Sequence, residues 1–187
     1  MKLGRVGITA AVALAVVVIP PVSVSNAANQ QSAKRNCTIK VDGLFTYGTS
    51  GRDVICGNSR FNVIYGRGGN DVILGGDDRD LLYGGTGLDR LKGGLGDDQL
   101  TGEFGHDLMV GRRGDDTLYD QDGVDRFLGG PGQECFFTID HRRAQRNESD
   151  RLFGGSGTDK AKTDDADVRR KIERTPKQGC VISAVQQ

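Results

Sequence analysis

Residues 84–101 read Gly-Gly-Thr-Gly-Leu-Asp-Arg-Leu-Lys followed by Gly-Gly-Leu-Gly-Asp-Asp-Gln-Leu-Thr. They are two copies of one nine-residue unit, Gly-Gly-x-Gly-x-Asp-x-U-x, where U is a large apolar residue. Counting in nines from Gly84 gives ten contiguous units, beginning at Gly48, Gly57, Gly66, Gly75, Gly84, Gly93, Gly102, Gly111, Asp120 and Gly129. The sixth position holds Asp53, Asn62, Asp71, Asp80, Asp89, Asp98, Asp107, Asp116, Asp125 and Glu134. The eighth holds Ile55, Ile64, Ile73, Leu82, Leu91, Leu100, Met109, Leu118, Phe127 and Phe136. Both positions stay in phase across the ten units, so the array is a repeat architecture and not a chance match.

A second block follows an interruption. Asp150, Arg151 and Leu152 fill the acid and apolar positions of one unit, and residues 154–162 are another full copy. Residues 138–144 are read as the insertion. Glycine makes up 29 of 187 residues, tryptophan is absent and aromatics are 6%. A thick apolar core is therefore not expected, and something else must hold the chain together. Residues 48–137 carry sixteen Asp/Glu against nine Lys/Arg, whereas residues 138–187 carry eight against eleven. An acidic middle lacks the clustered basic face of a nucleic-acid binder.

The spacing suggests the chemistry. Glycines at positions one, two and four are expected to permit positive φ and a tight turn. The turned carbonyls and the position-six carboxylate then converge on one spot. Such hard oxygen ligands suit Ca²⁺, which takes six to eight of them, better than Mg²⁺ with its stricter octahedron. The last three residues of each unit form a short strand with the apolar side chain inward.

These motifs resemble the RTX, or hemolysin-type, calcium-binding nonapeptide repeats over about residues 48–162. The resemblance implies an all-β fold: a parallel β-roll in which two nonapeptides make one coil. Each ion then lies between turns eighteen residues apart. One edge would carry Asp53, Asp71, Asp89, Asp107 and Asp125; the other Asn62, Asp80, Asp98, Asp116 and Glu134. Up to about eight ions are implied. The gaps 71/89, 89/107, 80/98 and 98/116 are the most complete, with Gly85, Gly87, Gly94 and Gly96 shaping the central turns. The tightest ions are expected there. Arg60 and Asp78 replace the fourth-position glycine and Asp120 the first, which marks weaker turns. The resemblance also points to a short, stand-alone, exported protein without catalysis.

The ends read differently. Lys2 and Arg5 precede an apolar run over residues 6–19, and Ser25-Asn26-Ala27 offers small residues at a cleavage site. Residues 1–27 are thus expected to be a signal peptide, too short in its apolar run to span a membrane, so the mature form would be secreted with no membrane span. Residues 28–47 are expected as an N-terminal cap, 48–137 as the roll, 138–162 as the insertion with further repeats, and 163–187 as a C-terminal cap. Residues 166–173 suit either a strand or a short helix. The four cysteines suggest one staple at each end, Cys37 to Cys56 and Cys135 to Cys180. Position nine on one face gives Tyr65, Tyr83, Thr101, Tyr119 and Phe137, either a platform for a glycan or cell-wall partner or a plain stabilising column. His106 and His141 are read as solvent-exposed bystanders, and Arg142, Arg143 and Arg146 as a basic loop. No nucleophile or metalloprotease motif appears.

Overall fold

A nine-residue unit has room for one turn and one short strand, so two units make a flattened coil. In the computed structural model, which describes residues 36–138, 150–162 and 168–170, the chain forms such coils. The strands in chain order are β1 (Ile39–Lys40), β2 (Phe45–Tyr47), β3 (Val54–Cys56), β4 (Val63–Gly68), β5 (Val72–Gly76), β6 (Leu81–Gly87), β7 (Arg90–Leu95) and β8 (Gln99–Gly105). Then come β9 (Leu108–Arg113), β10 (Thr117–Asp120), β11 (Arg126–Pro131), β12 (Cys135–Thr138), β13 (Arg151–Ser156), β14 (Lys160–Lys162) and β15 (Val168–Arg170). Odd strands β1 to β15 line up in one sheet, and even strands β2 to β14 in the other. All pairings are parallel, as the solenoid requires.

Register repeats every eighteen residues: Ile55 pairs with Ile73, Ile73 with Leu91, and Leu82 with Leu100. Across the repeats it jumps once. Phe127 pairs with Leu152 and Phe136 with Ala161, an offset seven residues longer than eighteen. Thr138, read from the sequence as the start of the insertion, still pairs with Asp120 in the regular register. Several strands are longer than the expected three residues. β6 continues to Gly87 because its glycine turn stays hydrogen-bonded in register with the next, Gly85 opposite Glu103 and Gly87 opposite Gly105.

The core is two facing columns. Ile55, Ile73, Leu91, Met109, Phe127 and Leu152 come from one sheet; Ile64, Leu82, Leu100, Leu118, Phe136 and Ala161 from the other. Burying each large side chain contributes about 1.5–3 kcal/mol, but there is only one per half-coil. Phe127 and Phe136 meet edge to face, 6.1 Å between centroids.

The segment read as an N-terminal cap supplies β1 and β2, the first strand of each sheet among the described residues. Its Cys37 is bonded to Cys56. At the other end the undecided stretch contains a strand: β15 pairs with β13 in parallel, Arg151 opposite Val168. The expected signal peptide, the basic loop with His141, and Cys180 of the expected second staple lie outside the described residues.

Candidate metal centres

The turns at the two edges are stacked, and stacking aligns their polar atoms. Every position-six side chain from Asp53 to Glu134 is buried, as are Asp150 and Asp159. In the aspartates from Asp71 to Asp125 one carboxylate oxygen is used the same way: Oδ1 accepts the backbone N–H of the position-six residue one coil earlier, whereas both oxygens of Glu134 are left without a hydrogen-bond partner. Asp71 accepts from the Asp53 N–H (2.7 Å), Asp89 from Asp71 (2.8 Å), Asp107 from Asp89 (2.8 Å) and Asp125 from Asp107 (2.7 Å). On the other edge Asp80 accepts from Asn62 (2.7 Å), Asp98 from Asp80 (2.8 Å) and Asp116 from Asp98 (2.9 Å).

The other oxygen is left over. Oδ2 of Asp71, Asp80, Asp89, Asp98, Asp107 and Asp116 is buried with no hydrogen-bond partner. An unpaired carboxylate oxygen away from water is costly unless a cation or a proton meets it. The cost raises the carboxyl pKa values, chiefly through desolvation. Asp89 is pushed up to about 6, Asp80, Asp107 and Asp116 to about 7, and Asp98 to about 8. Asp71 moves the same way. Asp53 and Asn62 differ. Asp53 Oδ2 accepts from the Thr49 N–H (2.7 Å) and hydroxyl (2.9 Å), and Asn62 Oδ1 accepts from the Asn58 N–H (3.0 Å). The first turn of each edge is therefore closed on itself.

Backbone carbonyls complete the lining. Gly85, Gly87, Gly94 and Gly96 have φ of +108°, +141°, +139° and +111°. Their faces lie against the carbonyl oxygens of Arg67, Gly69, Gly76 and Asp78, one coil earlier, so a Cβ at any of the four would strike one. Arg67, Asp78, Glu103 and Arg112 adopt the same left-handed geometry without being glycine, at φ of 78°, 74°, 81° and 91°. Stacking thus enforces the turn even where the sequence departs from the motif. Arg60 is not left-handed, consistent with an irregular first turn on its edge.

Position one corrects the sequence reading. The glycines at residues 66, 75, 84, 93, 102 and 111 do not have positive φ. Glycine is needed there for space, because the turn's own carboxylate lies against it. A Cβ on Gly84 would meet Asp89 Oδ2 at 2.6 Å, and one on Gly75 would meet Asp80 Oδ2 at 2.5 Å.

Two features escaped the sequence reading. Position-five side chains also link successive turns: Asn70 accepts from the Leu88 N–H (3.0 Å), Asp97 from Asp115 (2.8 Å) and Asp115 from Gln133 (2.8 Å). His106 belongs to this set, its Nδ1 accepting from the Val124 N–H (2.7 Å), so it is exposed but is not a bystander. The only signal was a side-chain acceptor at position five. The second feature is Asp120, whose carboxylate oxygen lies within 4.8 Å of those of Asp107 and Asp125.

The oxygens on offer are hard and crowded, and the unpaired Oδ2 atoms fit a calcium-class cation. Comparison with protein families agrees with this geometry. The RTX calcium-binding nonapeptide repeat matches in four overlapping copies, over residues 47–82, 74–109, 83–118 and 101–133. The chain thus carries this repeat over residues 47–133, and the repeat implies calcium binding. No curated protein matches it.

Proposed function

We propose that the protein is a secreted, non-catalytic β-roll that folds on calcium. The observation that carries this is the row of buried, unpartnered Oδ2 atoms on each edge. Ions lie between turns one coil apart, with Asp71, Asp80, Asp89, Asp98, Asp107 and Asp116 as carboxylate ligands and the carbonyls facing Gly85, Gly87, Gly94 and Gly96 as partners. The gaps 71/89, 89/107, 80/98 and 98/116 have regular turns on both sides. Asp125 adds a fifth carboxylate to its edge. Asp53 contributes least, because Thr49 already holds its second oxygen. Calorimetric titration would count the ions, with about eight as the ceiling that the gaps among the ten contiguous repeats allow.

Export is supported by the leader-like first 27 residues and by the Cys37–Cys56 bond, which suits an oxidising compartment. Among the described residues no helix is long and apolar enough to cross a membrane.

A second reading is a calcium-rigidified adhesin or wall-binding module. The aromatic column is in register and starts one coil earlier than expected, with Tyr47 beside Tyr65 and Tyr65 beside Tyr83. Their rings stack at 5.2 and 4.7 Å, nearly parallel. Both faces of Tyr65 are thus covered, and the Arg67 guanidinium lies 4.9 Å from the Tyr47 ring centroid. A sugar ring needs a free aromatic face, so this column favours the stabilising role. Retention on a cell-wall fraction in Ca²⁺, lost in EGTA and lost again in a Tyr47→Ala/Tyr83→Ala double variant, would favour the adhesin reading.

A further inference from the structure

Of the ten contiguous units, nine open on glycine and one opens on Asp120. By the motif this is a defect, because the first position is where the turn's own carboxylate needs room. The structure accommodates it in a specific way. The Asp120 side chain is turned toward the preceding turn of its edge. A Cβ on Gly102 would meet Asp120 Oδ1 at 2.8 Å and Asp107 Oδ2 at 2.5 Å. The gap between turns 102–107 and 120–125 therefore holds three carboxylates, Asp107, Asp120 and Asp125, with ligand oxygens within 4.8 Å of one another.

Asp120 is 1% exposed, and neither of its oxygens has a hydrogen-bond partner. The groups that it approaches are themselves acceptors. Carboxylates this close must share a proton or a cation. The turn is also built differently: Gln121, at the second position, lacks the positive φ of Gly85 or Gly94.

We propose that Asp120 is a direct cation ligand, and that this gap is a three-carboxylate calcium site of high affinity in addition to the four regular gaps. This rests on the calcium reading above. It reverses what the motif implies, since restoring glycine at position 120 would complete the consensus yet remove a ligand.

Calcium titration of the full chain, its Asp120→Gly variant and its Asp120→Asn variant by calorimetry separates the two. Circular dichroism in saturating Ca²⁺ establishes that each is folded. The expected result is that both variants lose affinity at one site by about tenfold or more, as removal of a charged ligand does, with the remaining sites unchanged. Equal or tighter binding by Asp120→Gly, with the same number of ions, overturns the inference. If Asp120→Gly does not fold, Asp120→Asn alone decides, because it keeps the shape and removes the charge. A wild-type chain that takes up no calcium would instead sink the underlying reading.

Discussion

At the scale of single residues, each consensus glycine has its own reason. Gly84 leaves room for a carboxylate, whereas Gly85 takes a left-handed turn against a carbonyl. The two substitutions should therefore behave differently. Gly84→Ala should weaken calcium binding directly, because its Cβ would displace Asp89 Oδ2. Gly85→Ala should in addition lower folded stability by about 1–3 kcal/mol through backbone strain at its left-handed φ, besides crowding the Arg67 carbonyl, and calorimetry beside denaturant melts would show the extra stability loss. Among the acids, Asp89→Ala should reduce calcium affinity far more than Asn62→Ala in the same titration. Asp89 leaves an oxygen unpaired, while the Asn62 oxygen is already satisfied by Asn58. The sequence announced Asp89 and Asp98 plainly, because the acid recurs in phase. It gave no hint that Thr49 satisfies Asp53, since that pairing lies within an irregular turn. Nor did it reveal Asp120 as a contributor, because a motif scores a departure only as a loss.

At the scale of strands and columns, the period made the alternation of two sheets legible. Consecutive units must take opposite edges, and the apolar eighth position must face inward. Every eighth-position residue from Ile55 to Phe136 is fully buried. Leu91→Ala, at the centre of one column, should cost about 2–5 kcal/mol of stability in saturating calcium by denaturant titration. Loss below 1 kcal/mol would mean that the coil collapses around the gap. The strands β1 and β15 were not legible, because their offsets of sixteen residues from β3 and seventeen from β13 break the period that identified the strands of the array. The continuation of strands through the glycine turns was hidden for a related reason. Glycine is ordinarily a strand breaker, and here it is kept in the ladder by the identical turn beside it.

At the scale of the whole molecule, the fold sets many buried carboxylates against a core one side chain thick. In the metal-free roll these carboxyls hold their protons more tightly than in the unfolded chain, Asp89 near 6 and Asp98 near 8 against a reference of 3.8. The folded state then carries more protons than the unfolded one, so stability falls as pH rises. The benefit is complete below about pH 4 and is lost as pH climbs through about 6 to 8. Metal-free protein should accordingly show more β-structure at pH 5 than at pH 8, while apparent calcium affinity should fall over the same descent as protons compete. The most direct test of the account is far-ultraviolet circular dichroism of the mature chain at pH 7.5, first in EGTA and then with calcium raised to millimolar concentration. The expected spectrum is largely disordered in EGTA and converts to β-structure on adding calcium. A full β-spectrum in EGTA, unchanged by calcium, would contradict it.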